Sequence, residues 1–457
     1  MNVGQQKNEQ HHGGADMDGT HATPQGRQQT FTAFDQQRAL TVNLMEQICD
    51  PRNIIRAYRR VYSNKGKPGV DGMTVDELAD WLRENSVALT TSLLDGTYRP
   101  QPVLGVQIPK PGGGIRQLGI PTVVDRLVQQ MILQVLEPFL DPTFSNSSYG
   151  FRPGRSPHMA LEQARKYVAQ EGRTVVVDLD LEKFFDRVNH DILMSRLARR
   201  IGDKRLLLII RCFLQAGMMQ DGVCIAREEG TPQGGPLSPL LANLLLDDLD
   251  QLLESRGHRF CRYADDCNIY VQSLVAGQRV MESVTRFLEG KLKLKVNRDK
   301  SAVAPVGERK FLGYRLLLNG KLGISPKSVK RAKERIREIT RRNRGVSFAQ
   351  VIQELKSFIT GWVIYYRLAA CRAELQSLDE WIRRKLRCYR LKQCKRGKTV
   401  AKFLQQLGVR PSPAYRVVSS GRGWWRLSRT RSVQTAMSTE WLASQGLVSL
   451  VVKYDSF

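Results

Sequence analysis

The chain has 457 residues, a formal net charge of +27 and a pI of about 10.0. Its length permits two or three domains with a large core, and its charge excludes a neutral enzyme surface and favours a polyanionic partner, nucleic acid above all. The absence of any run of about 18 apolar residues argues against a membrane partner, and eight cysteines without a CxxC pair favour free thiols in a reducing cytoplasm.

Composition divides the chain into four regions. Residues 1–35 are rich in Gln, Gly, His and Asp and nearly free of apolar side chains, which predicts a disordered tail. Residues 36–316 carry the turn and strand motifs described below, residues 317–396 show helical periodicity, and residues 397–457 mix cations with aromatic side chains. The last third, residues 321–457, holds 30 Lys and Arg against 8 Asp and Glu, and a generally basic surface does not predict that concentration.

Two turns in the first half of the chain present pairs of cations. In residues 108–121 a glycine-rich turn between two apolar strand patterns presents Lys110 and Arg116. This pair suits a triphosphate, with Lys as a point charge and Arg as a planar fork, but an ordinary exposed hairpin explains the pattern equally well. Further along, Arg152 and Arg155 flank a Pro-Gly turn, where they either contact template phosphates or pair with carboxylates of the core.

A β-strand pattern over residues 175–181 is interrupted by Asp178 and Asp180. Because side chains alternate along a strand, the two carboxylates lie on the same face. Carboxylates in an otherwise apolar strand need a partner cation, so we expect a metal ligand here. Strand parity alone does not choose between the two aspartates.

A loop rich in Gly and Pro follows in residues 229–239. Its glycines allow the backbone to approach a substrate closely. Within it, Gln233 offers both a donor and an acceptor to a sugar or a base edge.

The stretch that organises the rest of the chain is residues 260–271, in which Asp265 and Asp266 are flanked on both sides by β-forming residues. This pattern predicts a β-hairpin with the two aspartates at its tip. Adjacent carboxylates repel each other, and their hard oxygen atoms favour Mg²⁺, whose charge would remove the repulsion. For this dipeptide alone, a solvated acidic turn is the alternative.

These motifs resemble, in family order over residues 66–314, those of group II intron-encoded reverse transcriptases. The family patterns present in this chain are IPKxxGxxRxLGIP, YGFRPGRS, FFDxVxH, GTPQGGPLSPLLAN and YxDD. The resemblance implies an α+β right-hand polymerase fold, with fingers, a palm built on an antiparallel sheet with helices on one face, and a helical thumb. Fingers and palm would occupy residues 36–316, the thumb or maturase domain residues 317–396, and a nucleic-acid-binding segment residues 397–457.

The same resemblance implies a catalytic metal site. Asp180, Asp265 and Asp266 would hold two Mg²⁺ ions, because two aspartates at one hairpin tip do not complete a two-metal cage. Asp178 is the reserve candidate for the ligand that the upstream strand provides.

A dNTP site is also implied. Lys110 and Arg116 would bind the triphosphate, Gln233 would lie beside the incoming nucleotide, and Phe185 stands where the family places the steric gate that excludes a ribose 2′-hydroxyl. Lys300 stands where polymerases of this shape often keep a general acid for the leaving pyrophosphate. A phosphate-facing surface lysine explains that position equally well.

Residues 317–396 show three amphipathic helical patterns with cationic outer faces, the second capped by Ser347. By resemblance they form the thumb, which in this family is also the maturase domain that holds structured intron RNA. A basic helical bundle without RNA specificity is the alternative. The predicted nucleic-acid-binding residues are Arg152, Arg155, Arg331, Arg335, Arg383, Arg384 and Lys385.

The resulting hypothesis is a cytoplasmic RNA-directed DNA polymerase that extends a DNA primer on an RNA template and assists splicing and mobility of a group II intron. Alternatives are a free-standing relative recruited to DNA repair or phage defence, and a non-catalytic RNA-binding splicing factor. The C-terminal region lacks the Cys pairs and His clusters of a zinc-containing HNH endonuclease, so we do not expect it to cut its own DNA primer. The oligomeric state is left open.

Overall fold

The computed structural model describes residues 43–109, 113–220 and 222–457. Lys110 and the predicted tail over residues 1–35 lie outside the described residues. The described helices are α1 (Leu44–Ile48), α2 (Pro51–Ser63), α3 (Leu78–Leu94), α4 (Val123–Leu140), α5 (Pro157–Ala169), α6 (His190–Arg200), α7 (Lys204–Gln215), α8 (Ser238–Ser255), α9 (Leu274–Lys291), α10 (Pro326–Ile339), α11 (Phe348–Tyr365), α12 (Arg372–Gln393), α13 (Gly397–Gln406), α14 (Pro411–Ser419), α15 (Trp424–Leu427), α16 (Arg431–Ala436), α17 (Thr439–Ser444) and α18 (Leu450–Tyr454). The described strands are β1 (Val103–Pro109), β2 (Ile115–Ile120), β3 (Val175–Leu179), β4 (Met218–Gln220), β5 (Val223–Ile225), β6 (Arg259–Tyr263), β7 (Asp266–Val271), β8 (Ala302–Pro305), β9 (Lys310–Phe311), β10 (Tyr314–Leu316) and β11 (Leu322–Ile324).

The first sheet contains the strands of the predicted glycine-rich hairpin and has the strand order β2-β1-β4-β5. Strands β1 and β2 are antiparallel, with Leu104 opposite Ile120, and β4 joins the other edge of β1 in parallel. Helix α4 begins directly after β2, where Thr122 accepts a hydrogen bond from the backbone N–H of Asp125 and so caps the helix.

The second sheet is fully antiparallel, with the strand order β6-β7-β3-β8. One face carries Val177 and Ile269 and packs against α8 and α9 in the largest hydrophobic cluster. The opposite face carries Asp178 and Tyr270, and α5 covers part of it, with the rings of Tyr167 and Tyr270 5.8 Å apart between centroids. Helices therefore cover one face of the sheet and leave the acidic end of the opposite face open. This arrangement is the palm of a right-hand α+β polymerase fold.

A third, small sheet with the order β11-β10-β9 connects the palm to the helices that follow. Helices α10, α11 and α12 form the second hydrophobic cluster. Ser347 accepts a hydrogen bond from the N–H of Gln350 and caps α11, as its sequence position predicts. The Tyr365 hydroxyl of α11 donates to the carbonyl of Leu312 at 2.8 Å, so this helix is fastened to the small sheet.

The last residues divide between two hydrophobic clusters. Helices α13 to α16 surround a separate cluster, whereas Leu442 and Leu450 pack in the same cluster as α11 and α12. Asp379 of α12 accepts hydrogen bonds from Ser449 Oγ at 2.6 Å and from the N–H of Leu450 at 2.9 Å. The chain after residue 397 is thus partly a layer on the thumb. In the part of the chain that the structure describes, no helix combines the length and apolarity required to cross a membrane.

Candidate active site

The acidic hairpin closes with a two-residue turn. Tyr263 of β6 is paired with Asp266 of β7, so the turn consists of Ala264 and Asp265. Ala264 has a φ of +58°, in the left-handed region that L-residues seldom occupy. A small residue limits the steric cost of this conformation, and the turn directs two successive carboxylates from the end of the sheet.

A buried arginine supports this turn from below. The Arg262 side chain is 1% exposed and donates from Nε to Asp250 of α8 at 2.7 Å. It also donates to Asn243 Oδ1 and to the carbonyl of Ala264, each at 3.0 Å. A buried ion pair that is fully hydrogen-bonded fixes geometry more than it stabilises the fold. Here it fixes the backbone that carries Asp265.

A glycine packs against the turn from the other side. A Cβ atom added to Gly150 would lie 2.3 Å from the backbone nitrogen of Ala264. Any side chain at position 150 would therefore displace the acidic turn, which accounts for the glycine in the YGFRPGRS stretch. Tyr149 next to it donates its backbone N–H to the carbonyl of Arg262 at 2.8 Å.

Strand register brings the upstream aspartates to the same place. Asp178 is paired with Asn268, and Leu179 with Cys267, so the next register position places Asp180 opposite Asp266. Side chains directly opposite in antiparallel strands have Cβ atoms about 5 Å apart. Asp180 of the upstream strand and the adjacent pair Asp265 and Asp266 therefore meet at one end of the palm sheet.

The two upstream aspartates have different surroundings. Asp178 is 13% exposed and receives Arg309 Nε at 2.8 Å and a terminal Arg309 nitrogen at 2.7 Å. Asp180 is 41% exposed, and its carboxylate lies 3.3 Å from Lys300 Nζ. Asp178 is thus occupied by a guanidinium, whereas Asp180 remains accessible to a ligand from solvent.

Electrostatics confirm that these carboxyl groups influence one another. Burial, and then the charges of Asp178 and Asp265, raise the pKa of Asp266 to about 7. Burial and the charge of Asp180 also raise the pKa of Asp265, while Arg116 and Lys300 oppose that rise. Arg116 of the fingers hairpin is therefore within electrostatic range of the acidic turn.

The chemistry of this cluster fits a divalent cation. Carboxylates that raise one another's pKa lack sufficient positive charge nearby. Asn268, on the same face, has a buried amide oxygen without a hydrogen-bond partner among the described residues. Within residues 43–109, 113–220 and 222–457, no three Asp, Glu, His or Cys side chains form a preformed metal-binding group. The carboxylates would therefore close around an ion on binding.

Two of the other predicted nucleotide-binding residues, Phe185 and Gln233, connect the loop of residues 229–239 to its neighbours through backbone contacts. The carbonyl of Phe185 accepts from the N–H of Thr231 at 2.6 Å, and the carbonyl of Gln233 accepts from the N–H of Gly119 at 2.9 Å. The loop of residues 229–239, which is rich in Gly and Pro, therefore lies between the turn after β3 and the end of β2. The Phe185 ring is half-buried and packs edge-on against Phe184, with centroids 5.2 Å apart.

The prediction that Arg152 contacts nucleic acid needs correction. Its side chain is 4% exposed and pairs with Asp141 at 2.7 Å. The guanidinium also donates to the carbonyls of Ser145 and Ser148. Of the two alternatives for this residue, pairing within the fold is the correct one, because no donor remains for a phosphate. Arg155 is half-buried over the Tyr149 ring and donates to Asn146 at 2.7 Å.

The predicted thumb residues lie on two surfaces. Arg331 and Arg335 are on the exposed side of α10, where Arg335 pairs with Glu338 at 2.8 Å. Arg383 and Arg384 line a cavity of about 480 Å³ between α12 and the C-terminal helices. On the other side of Trp381, Lys385 and Trp425 line a second cavity of about 320 Å³.

Aromatic rings hold the cations of α12 in place. The Arg384 guanidinium lies 3.7 Å from the centroid of the Trp425 ring and donates to the Trp425 carbonyl at 3.1 Å. Lys385 Nζ lies 5.4 Å from the centroid of the Trp381 ring. Burial, Arg337 and Arg342 all lower the pKa of Lys385. The cations therefore form a concentrated positive surface, which suits a polyanion.

Several residues at the site were not predicted from sequence. The supporting contacts of Arg262, Gly150 and Arg309 depend on partners far along the chain, although Gly150 and Arg262 lie inside quoted stretches and Arg309 opens a segment, residues 309–314, that resembles the family's primer-gripping element. A cavity of about 780 Å³ near the glycine-rich loop is lined by further arginines that were also not predicted, namely Arg56, Arg59, Arg60 and Arg126. The spacing of the first three along α2 is the sequence signal that would have placed them on one helix face.

An antiparallel palm with carboxylates at its open end, a strand-rich fingers region and a helical thumb define a template-directed nucleic-acid polymerase. Residues 108–316 match the family described as reverse transcriptase (RNA-dependent DNA polymerase), and residues 329–408 match the group II intron maturase-specific domain. Protein YkfC of Escherichia coli is 35% identical over 314 residues, which cover 60% of this chain and 82% of YkfC.

The group II intron-encoded protein LtrA of Lactococcus lactis is 38% identical over 208 residues, which cover 45% of this chain and 34% of LtrA. Among solved structures, a partial Cas6-RT-Cas1–Cas2 complex is similar at 26% identity with a TM-score of 0.36, covering 54% of this chain and 43% of that chain. The chain belongs to the group II intron-encoded reverse transcriptase and maturase family. It is an RNA-directed DNA polymerase of a class that depends on divalent metal and binds RNA and DNA.

Proposed function

We propose that Asp180, Asp265 and Asp266 bind two Mg²⁺ ions and that the chain uses them to add dNTPs to the 3′-hydroxyl of a DNA primer on an RNA template. The observation that carries this proposal is the register of β3 and β7, which sets Asp180 opposite Asp266. When bound, the ions would lower the pKa of the primer hydroxyl and neutralise the triphosphate.

The surroundings of Asp178 support Asp180 as the ligand from the upstream strand. A carboxylate that is already paired with a guanidinium would have to give up that contact to bind a metal. Asp178 has such a partner in Arg309, whose Nε donates to Asp178 Oδ2 at 2.8 Å, whereas Asp180 has the more distant Lys300 ammonium at 3.3 Å. The exposed carboxylate is the one that an ion reaches from solvent.

The residues around the acidic turn would bind and orient the nucleotide. Arg116, which lies within electrostatic range of Asp265, would clamp the triphosphate together with Lys110. The Phe185 ring would exclude a ribose 2′-hydroxyl, and Gln233 would contact the sugar or base edge. Lys300, next to Asp180, would donate a proton to the leaving pyrophosphate.

The positive surface of α12 would bind structured group II intron RNA. By binding this RNA in the cytoplasm, the protein would assist splicing and intron mobility. Guanidinium groups held against tryptophan rings keep their positions without a phosphate present, so little side-chain freedom is lost on binding. The Trp381 ring, which lines both cavities, and the Trp425 ring, which lines the second, would offer surfaces on which unpaired bases can stack.

We expect the double change Arg384→Gln with Lys385→Gln to weaken RNA binding by about tenfold or more at moderate salt. It should also reduce the slope of the logarithm of the binding constant against the logarithm of the salt concentration by the amount that about two phosphate contacts contribute. Filter binding of intron RNA at several salt concentrations measures both effects. The control is Arg83→Gln with Lys321→Gln, which removes two exposed cations that line neither of the two cavities. Equal losses in both double variants would contradict a specific interface on α12.

Primer extension tests the polymerase proposal itself. The full chain, an RNA template, an annealed DNA primer and dNTPs should give extended DNA when Mg²⁺ is present and none when it is chelated. Replacing dNTPs by NTPs should lower the yield strongly if Phe185 is the gate, and Phe185→Ala should restore part of it. RNA binding without any extension would instead support a non-catalytic splicing factor. A catalytic intron RNA flanking the coding sequence would favour the maturase role over DNA repair or phage defence.

A further inference from the structure

A second ion pair lies directly behind the carboxylate cluster. Arg309 stands just before β9 and reaches across to Asp178 with Nε and a terminal nitrogen, at 2.8 and 2.7 Å. Both side chains are largely shielded, at 29% and 13% exposure. Because Asp178 is paired with Asn268 in the sheet, this contact fastens the segment before β9 to the centre of the palm.

The same guanidinium contacts the loop that carries Lys300. A terminal nitrogen of Arg309 donates to the carbonyl of Lys300. The Lys300 ammonium in turn lies 3.3 Å from Asp180 Oδ1. Arg309 therefore links the shielded Asp178 side chain to the backbone of Lys300, whose ammonium group lies beside Asp180.

The loop that carries Lys300 is also attached to the backbone of Asp180. Asn297 donates its N–H to the carbonyl of Asp180 at 2.8 Å, and the N–H of Asp180 donates to Ser301 Oγ at 3.0 Å. These bonds hold the loop backbone at Asn297 and Ser301, and the Arg309 contact holds it at Lys300 between them. The Lys300 side chain is 65% exposed, so the position of its ammonium depends on where the backbone of residue 300 is held and on the contact with Asp180.

We propose that Arg309 and Asp178 form a positioning pair for the polymerase reaction, which holds the Lys300 ammonium at the pyrophosphate side of the carboxylate cluster. The inference rests on the proposed function of Lys300. Arg309 acts through the Lys300 backbone and is a positioning residue. Asp178 contributes by accepting a hydrogen bond from Nε, which directs the terminal nitrogen of the planar guanidinium to the Lys300 carbonyl. A lysine at position 309 has a single nitrogen and would not make both contacts in this fixed geometry.

A double-mutant cycle tests this coupling. Single-turnover primer extension is measured for the wild type, Arg309→Gln, Lys300→Ala and the double variant, each with varied dNTP concentration. Arg309→Gln should lower the rate at saturating dNTP by about tenfold or more and leave the half-saturating dNTP concentration within about threefold, because loss of a positioned general acid costs roughly a hundredfold or more. In the Lys300→Ala background, Arg309→Gln should have no further effect beyond about twofold.

Matched variants separate positioning from folding. Arg298→Gln removes a cation from the same loop that is 79% exposed and lies 3.7 Å from Glu289, and it should retain the wild-type rate. Arg309→Lys should be intermediate, because it keeps the charge but loses the second hydrogen bond. If Arg309→Gln does not fold, Asp178→Asn replaces it in the cycle, since it removes the charge partner and retains the shape.

The outcomes distinguish the inference from the function on which it rests. A wild-type chain that extends no primer refutes the proposed polymerase function. A wild type that extends primers while Arg309→Gln keeps the full rate overturns the positioning role, and so do additive losses in the double variant. A non-additive cycle with an unchanged Arg298→Gln control supports it.

Discussion

Replacing Asp265 by Asn is expected to lower primer extension by about a thousandfold or more, because an amide cannot supply the negative charge that a two-metal site requires. The change keeps the shape of the side chain at a turn whose backbone is held by Arg262. RNA binding should stay within about twofold of the wild type, since the predicted RNA-binding cations of the thumb lie on α10 and α12 and not at the acidic turn. Single-turnover extension and filter binding of the same preparations measure both quantities.

A control variant at a second aspartate, Asp299, separates loss of the metal site from a general effect of removing an acidic side chain. Asp299→Asn changes an exposed aspartate beside the Lys300 loop and should retain extension close to the wild-type level. Substantial polymerisation by Asp265→Asn in Mg²⁺ would show that the acidic turn is not the metal site. A parallel loss of RNA binding would show that the variant had lost its fold.

Replacing Asp266 by Asn is expected to stabilise the protein in metal-free buffer while it removes activity. Burial and the neighbouring carboxylates raise the pKa of Asp266 to about 7, from 3.8. A shift of that size corresponds to roughly 4 kcal/mol by linkage, and solvent screening of this partly exposed group reduces it, so a gain of about 2 kcal/mol is expected at pH 8. Urea unfolding in the presence of a chelator measures the free energy of unfolding.

The sign of the pH dependence follows from the raised pKa. The folded state binds the Asp266 proton more tightly than the unfolded state, so the contribution of this group to stability is fully present below pH 3.8 and is lost as the pH rises to about 7. The advantage of Asp266→Asn should therefore grow between pH 5 and pH 8 and shrink when Mg²⁺ is added. An advantage that does not change with pH would contradict the electrostatic origin. Asp180→Asn, at a carboxyl group that is 41% exposed, should show a smaller gain, because it removes only one of the charges that raise the pKa values of Asp265 and Asp266.

The local structure of the site was predictable because it depends on short-range properties of the chain. The β-forming residues around Asp265 and Asp266 specify a hairpin, and the hairpin is present with the two-residue turn. The alternation of Asp178 and Asp180 predicts a shared face, and the register of β3 with β7 is consistent with it. Ser347 caps its helix for the same local reason.

The partners of the charged residues could not be predicted, because they are determined by tertiary packing. Arg152 is as close in sequence to a Pro-Gly turn as Arg155, yet only Arg152 is enclosed by Asp141 and backbone carbonyls. The preference between Asp178 and Asp180 depends on Arg309, which is 131 residues from Asp178. No periodicity or turn pattern carries that information. The roles of the individual site residues stay predictions until the variants are measured.

The most direct test of the central claim is anomalous diffraction from crystals of the full chain with an RNA–DNA primer duplex, a dNTP and Mn²⁺ in place of Mg²⁺. The account predicts two manganese peaks at the palm, with carboxylate oxygens of Asp180 and Asp265 within coordination distance, a little over about 2 Å. Asp178 should remain paired with Arg309. Manganese bound elsewhere, or an Asp180 side chain directed away from the acidic turn in that complex, would contradict the account.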